Sequence, residues 1–305
     1  DRMRIVKGIP SRQTPLAVWE VVRESLLHRR IFKVNPLLGY MHMSLAFGWF
    51  LLIVVGWIET VAYLGFRYVP LHGHVFFKYF ATELPHKPVF DFLMDLLLLF
   101  VLSGVTLAFG KRIYSQAMGM RRTTRHVLGD RIALSVLWLI FPARLLAESI
   151  TCALHGGGGF LTGTIGEWMA HHVNPIVLQT LYEPLWWAYS ICLGLFFVAL
   201  PFSRYMHIFT EIPLIFLRRY KLHSTEKEGS FDRFQTDACS RCGICIDPCQ
   251  LQSELGIDDV QSVYFLRDRR YRMLRLATAD NCLMCGRCAE VCPMDIIDPF
   301  SMRVK

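Results

Sequence analysis

VFDFLMDLLLLFVLSGVTLAFG, residues 89–110, has Asp91 and Asp95 near its start and no further charge until Lys111. About 20 apolar residues are what a helix needs to cross the hydrocarbon of a bilayer. Within that layer only a helix or a closed barrel satisfies every peptide group, so the run reads as a transmembrane helix. Working outward, comparable runs lie at 38–65, 129–153 and 185–208, the last with its apolar part ending at Phe202. The chain as a whole is only mildly apolar, with a mean hydropathy of +0.34, because its charges gather outside these runs.

That charge is lopsided. The net charge is +8, and it follows the positive-inside pattern, with Lys and Arg gathering on alternate sides of the spans. Arg23, Arg29, Arg30 and Lys33 precede the first run. Lys111, Arg112, Arg121, Arg122, Arg125 and Arg131 lie between the second and third, and Arg204, Arg218, Arg219 and Lys221 follow the fourth. Residues 154–180 carry no Lys or Arg. The expectation is a multi-pass protein of the cytoplasmic (inner) membrane with both termini cytoplasmic, and the charge implies no nucleic acid. Residues 11–33 form an amphipathic pattern that reads either as a helix on the membrane surface or as a solvated helix.

Eight of the ten cysteines sit in CSRCGICIDPC (Cys239, Cys242, Cys245, Cys249) and CLMCGRCAEVCP (Cys282, Cys285, Cys288, Cys292). C-x2-C-x2-C-x3-C is the spacing of ligands wrapped around an iron–sulfur cubane, and in two-cluster domains the fourth cysteine ligates the other cluster. The expectation is two [4Fe–4S] clusters, one on Cys239, Cys242, Cys245 and Cys292 and one on Cys282, Cys285, Cys288 and Cys249. Zinc sites use simpler paired spacings, and disulfides do not persist in the cytoplasm. Gln250 stands where proline usually follows the first run, and residues 250–281 separate the runs. RDRRYRMLR, residues 267–275, reads either as a docking face for an acidic partner or anionic lipid, or as a solvated helix face. Cys152 and Cys192, within the spans, read as small packing residues.

His207 ends the fourth run, and His42, in GYMHMSLAFGW, begins the first on the same side. Two histidines at matched depth can supply both axial ligands of a b-type haem, since neutral imidazole binds iron and bundle cores hold such cofactors. A buried histidine bonded to a backbone carbonyl is the plainer reading of each alone. PFSRYMHIF, followed by RRYK, resembles the end of the last helix of the gamma (cytochrome b) subunit of respiratory nitrate reductases. GYMHMSLAFGW resembles the first haem-bearing helix of membrane proteins related to heterodisulfide reductase, and the cysteine runs resemble the dicluster tail of that group. The resemblance implies haem ligation by His42 and His207. It also implies an outer ligand pair at positions occupied here by Leu52 and Tyr189, so one haem b is expected rather than two. His72, His74, His86, His155, His171 and His172 read either as surface or interface histidines or as ligands of a second, outer haem.

Quinol oxidation needs an apolar slot, a proton-exchanging group and a nearby one-electron acceptor. Glu59, Asp91, Asp95, Arg144 and Glu148 are the candidates toward the outer ends of the spans, although Arg144 and Glu148, at i,i+4, read equally as a mutually neutralising pair. Arg204, Arg131 and Asp130 border the inner side, where Arg204 reads either as a propionate contact or as a snorkelling residue.

The fold expected is mainly α: a four-helix transmembrane cytochrome b bundle with a small α+β or α-helical dicluster ferredoxin-like domain. Its parts are an interfacial segment 1–34, a membrane domain 35–220, a linker 221–230 and a cluster domain 231–305. No phosphate loop, dinucleotide fingerprint or nucleophile constellation is present. The function expected is electron transfer between membrane quinone, a b-type haem, two clusters and a soluble iron–sulfur or flavin oxidoreductase, which by resemblance is heterodisulfide reductase-like. Two other readings remain: a membrane-anchored ferredoxin for assembly or regulation without haem or quinone chemistry, and a haem subunit whose complex carries its quinone site elsewhere.

Overall fold

The computed structural model describes residues 2–64, 87–114, 126–222, 230–257, 260–273 and 282–294. Among these the chain is helical, without a strand, and the described residues of the cluster-bearing part are α-helical where they are regular. The N-terminal helices are Arg2–Gly8 (α1), Gln13–Glu20 (α2) and Arg29–Val34 (α3), with a π-helical stretch at Val21–Leu26. Next come Pro36–Leu64 (α4), Lys87–Ile113 (α5), Leu128–His155 (α6), Thr162–His172 (α7) and Pro175–Ala199 (α8). The C-terminal helices are His207–Arg219 (α9), Ser230–Asp237 (α10), Gln250–Leu255 (α11), Ser262–Arg270 (α12) and Arg287–Glu290 (α13).

Four of these segments are long and apolar enough to cross a membrane: Pro36–Glu59, Lys87–Ile113, Leu128–His155 and Pro175–Phe202. Their side chains are largely uncovered by protein, Val198 at 69% exposure and Phe202 at 75%, as lipid-facing residues are. Three spans match the sequence reading within a few residues, whereas the fourth differs at both ends. It begins at Pro175, where Asn174 caps it by accepting the Ile176 amide at 2.9 Å and proline fits a first turn whose amide needs no partner. Helix α8 ends at Ala199 and the apolar span at Phe202, so His207 is not in the span but opens α9. Pro201 explains the stop, because it has no amide hydrogen and its ring clashes with the preceding turn. Two 3-10 turns follow, Leu200–Phe202 and Arg204–Met206, and extended Ser203 caps the second by accepting the Tyr205 amide at 3.3 Å.

The chain divides into two compact units. One comprises residues 41–108 and 131–199, the other residues 1–40, 109–130 and 200–305. In the first, the spans meet through small and polar side chains, as expected where lipid removes the hydrophobic drive for helix association. Gly104 of α5 lies so close to Ser44 of α4 that a β-carbon would collide with its hydroxyl. Gly166 of α7 likewise abuts the Ser149 carbonyl and Cys152 of α6. Trp186 Nε1 donates to Thr151 Oγ1 at 3.0 Å, satisfying an indole that has no water to turn to. Trp49 packs edge-on against Phe196, with ring centroids 5.0 Å apart.

The second unit has its core around Ala17, Leu214, Ile246, Val263, Phe265 and Leu266. The N-terminal segment is therefore a packing partner of α9 and the cysteine-bearing region, as its buried Ala17 and Glu20 show. Glu20 receives Arg219 and stands 3.6 Å from Arg218, both of α9. Helix α12 also belongs to this core, with Val263, Tyr264, Phe265 and Leu266 buried. Its arginines are engaged within the unit. Arg267 pairs with Asp268, and Arg270 pairs with Asp237 at 3.3 Å while donating to the Pro201 carbonyl. Of the segment expected to dock a partner, Arg267, Arg269 and Arg270 are half-buried and Arg272 is exposed; Leu274 and Arg275 lie outside the described residues, as do 223–229 of the expected linker.

Candidate functional site

The two cysteine runs fold alike. In Cys239–Cys245, Arg241 and Gly243 take positive φ on either side of Cys242; in Cys282–Cys288, Met284 and Gly286 do so around Cys285. Left-handed residues between right-handed or extended ones turn successive amide groups toward one concavity, the nest that binds anions and iron–sulfur clusters. Glycine takes that conformation without cost, whereas Arg241 and Met284 adopt it only because their surroundings hold them.

The thiols sort into two sets. Burial pushes the Cys245 thiol well above its ordinary range, and the neighbouring thiols of Cys242, Cys239 and Cys292 push it further. Cys239 is driven up to about 12, again by burial first and with Cys292 and Cys242 among its neighbours. Cys249, Cys282, Cys285 and Cys288 line a common small cavity, and Cys245 lines it too, so the two neighbourhoods adjoin. Among the described residues no group of three or more metal-ligating side chains is drawn together as a single ion would require. A cubane holds its thiolates farther apart than one ion does. Buried thiolates are costly alone, so the donor set fits a cationic iron core that supplies their counter-charge.

The end of the second run is held from outside. The Pro293 carbonyl, next to Cys292, accepts Arg30 Nη1 at 3.1 Å, and the Met294 carbonyl accepts Arg218 Nη1 at 2.5 Å. Sulfur itself is engaged at the second run: Ser262 donates to Cys288 Sγ at 3.0 Å, and the Met284 amide lies 3.4 Å from Cys282 Sγ. Hydrogen bonds to cluster sulfurs are one means by which a protein sets reduction potential.

In the other unit a cavity of about 340 Å³ opens between the spans, and Glu59, Asp91, Asp95, Arg144 and Glu148 all line it. Its apolar wall includes Trp49, Leu52, Ile53, Trp57 and Phe197. The volume lies within the range of small-molecule pockets, which are mostly apolar with a few convergent polar groups. The acids differ in their commitments. Asp95 accepts the Leu161 amide at 2.7 Å, the Thr162 amide at 2.9 Å and the Thr162 hydroxyl at 2.8 Å, which fastens the start of α7 to α5. Glu148 receives Arg144 Nε at 2.8 Å and Nη2 at 2.7 Å through one oxygen. Sequence reasoning passed over Tyr189 as a site residue, yet it also lines the cavity. An aromatic residue in an apolar run carries no signal of its own.

His42 is half-buried in the second turn of α4. His207, in the other unit, is half-buried, and its Nδ1 stands 2.8 Å from the Arg204 carbonyl. A ring donating from Nδ1 presents its Nε2 lone pair outward, the arrangement in which most metal-bound histidines are held and also that of a plain buried histidine. Burial first, with Arg204 and Arg270 among the nearby charges, lowers the His207 pKa to about 3, so the ring is neutral at ordinary pH. Arg204 Nε and Arg270 Nη1 are both buried without a hydrogen-bond partner. Two such orphaned cationic donors beside a neutral imidazole fit the propionates of a haem.

Of the remaining histidines, His172 stacks on Trp168 with ring centroids 5.0 Å apart, and its Nδ1 lies 2.8 Å from the Trp168 carbonyl, to which it can only donate. His171 is exposed, and His155 meets Tyr182 edge-on at 5.8 Å. His72, His74 and His86 lie outside the described residues.

Residues 235–296 match the 4Fe-4S dicluster domain family. No curated protein and no solved structure matches the chain. The cysteine-bearing region is therefore a carrier of two [4Fe–4S] clusters and its chemistry is electron transfer, in a chain with four helices capable of crossing a membrane.

Proposed function

We propose that the chain is the membrane subunit of a respiratory complex, in which electrons pass between a membrane quinone, a b-type haem with His42 and His207 as axial ligands, two [4Fe–4S] clusters and a soluble oxidoreductase. The observation that carries this reading is the cavity among the spans, which unites an apolar wall, carboxylates and an arginine. When bound, the haem and clusters supply one-electron chemistry; the protons of a two-electron quinone reaction must be handled by side chains.

The side chains divide that task. Asp95 is committed to the α7 start, Asp91 meets the Gly158 backbone and Glu148 pairs with Arg144, which leaves Glu59 as the carboxylate best placed to exchange protons. Arg144 and Tyr189 are the donors able to hold a quinone oxygen. The proposed ligand set for the first cluster is Cys239, Cys242, Cys245 and Cys292, and for the second Cys282, Cys285, Cys288 and Cys249. Arg204 and Arg270 would meet the haem propionates, which gives a reason for their unpartnered nitrogens. The soluble partner is an iron–sulfur or flavin oxidoreductase, and the cluster-bearing region is its cytoplasmic contact.

The test is anaerobic mixing of the purified protein with a reduced short-chain quinol, with cluster and haem reduction followed optically and by electron paramagnetic resonance. Wild type is expected to reduce, Glu59→Gln to do so at least tenfold more slowly, and His207→Ala to lose the b-type band. Cluster iron without haem, and no reaction with quinol, would leave a membrane-anchored ferredoxin in its place.

A further inference from the structure

Arg241 is the residue between Cys239 and Cys242 that turns the first loop, yet its side chain leads away to a buried carboxylate. It is 3% exposed, and its Nη1 donates to Asp130 Oδ2, with Asp130 itself 0% exposed. Its Nη2 donates to the Tyr271 hydroxyl at 3.3 Å, and its guanidinium lies over that ring, 5.0 Å from the centroid. The other carboxylate oxygen of Asp130 accepts the Tyr271 hydroxyl at 3.1 Å and the Arg204 amide at 2.7 Å. Arg204 in turn offers its carbonyl to His207. A single side chain thus fixes the first cysteine loop and the Pro201–Arg204 break together.

A buried ion pair of this kind is an inefficient way to gain stability, since desolvation offsets attraction. Its charges are another matter, because cluster potentials respond to net charge and hydrogen bonding nearby. We propose that Asp130 and Arg241 are a positioning pair for the first cluster: Asp130 holds the Cys239–Cys242 loop through Arg241 and cancels the arginine's charge, and this balance sets the cluster's reduction potential. The pair is a fixed electrostatic setting and not a proton carrier. The inference rests on the reading that Cys239, Cys242, Cys245 and Cys292 hold one cluster.

Redox titration with mediators, followed by electron paramagnetic resonance, tests it without quinone or haem. Asp130→Asn leaves the arginine uncompensated, which favours the more negative reduced cluster. One of the two cluster signals is expected to gain about tenfold in reduced-to-oxidised ratio at fixed poise, about 59 mV for one electron. Arg241→Gln exposes the cluster to an uncompensated carboxylate and shifts the same signal the other way. The double variant Asp130→Asn with Arg241→Gln returns it toward wild type, and Asp130→Glu restores it. Mere loosening of the loop would not give opposite signs, so shifts of one sign, shifts shared by both clusters, or none, would overturn the pair. If Asp130→Asn fails to assemble clusters, Arg241→Gln and the double variant still decide the sign. Cys245→Ser and Cys292→Ser identify the signal: should they abolish different ones, the ligand reading fails and the pair with it, while quinol reactivity stays a separate question.

Discussion

Asp95 and Glu59 are both carboxylates on the wall of one cavity, but their surroundings assign them opposite duties. Asp95 accepts three hydrogen bonds from the start of α7, so Asp95→Ala would strand two amides and a hydroxyl. The cost is expected to be about 3 kcal/mol or more, at roughly 1–3 kcal/mol for each buried group left unsatisfied. The thermal midpoint in detergent should fall for Asp95→Ala and stay near wild type for Glu59→Gln. In the other unit, burial raises Glu211 from 4.5 to about 7, with Arg218 nearby opposing the shift. A carboxyl whose folded pKa lies above its unfolded value adds stability fully below the unfolded value and loses it as pH rises through the folded one. Glu211→Gln is therefore expected to raise stability at pH 8, and the midpoint with it, by at most about 3.5 kcal/mol at about 1.4 kcal/mol per pKa unit, and to leave both unchanged at pH 4. His207 runs the other way: its pKa is depressed, so its contribution is present above 6.5 and is lost as pH falls toward 3. The five polar candidates of the cavity could be picked from the sequence because charge is rare in a membrane run. Which of them was already spent on capping α7 could not, since that depends on a contact between Asp95 and Thr162 that no periodicity encodes.

Helix α8 and its successor show how a local rule and a composition can point apart. Hydropathy carries the fourth run on toward His207, whereas Pro201 ends the helix at Ala199, and the Asn174–Pro175 start lies earlier than the apolar window indicated. Both signals were in the sequence, yet hydropathy averages over the very residues that punctuate it. The α4–α5 contact depends on absent side chains, at Gly104 against Ser44 and at Gly48 against Val101 and Phe100. Gly104→Leu must push the helices apart, and overpacking of this kind costs typically 1–3 kcal/mol. Its midpoint in detergent is expected to fall, while Gly129→Leu, where a β-carbon meets nothing within 4 Å, should be near neutral. The cysteine loops were legible down to their spacing, but the left-handed turns at Arg241 and Met284 were not, because neither residue type favours that conformation.

At the scale of the molecule, the basic segments and the Lys- and Arg-free stretch 154–174 lie at opposite ends of the spans in chain order. Under the proposed orientation, a reporter active only outside the cytoplasm should be active when fused after His172 and inactive when fused after Leu222. The reverse result would invert the topology and with it the side on which a soluble partner docks. The sequence separated the chain into a membrane part and a cluster part, but it could not reveal that residues 1–40 pack with residues 200–305, since each partner supplies only half of a buried face. That partition has a consequence for how the protein is made. Arg30 clasps the carbonyl of Pro293, and the ribosome delivers Arg30 long before Pro293. Chains begin folding from the N-terminus during synthesis, and pairings so distant in sequence form slowly. Helix α2 must therefore wait, with its inward face uncovered, until all four spans have been made, and the clusters' housing closes only after both cysteine runs have emerged. A nascent chain stalled before Cys282 would be fully threaded into the bilayer and still unable to shelter iron.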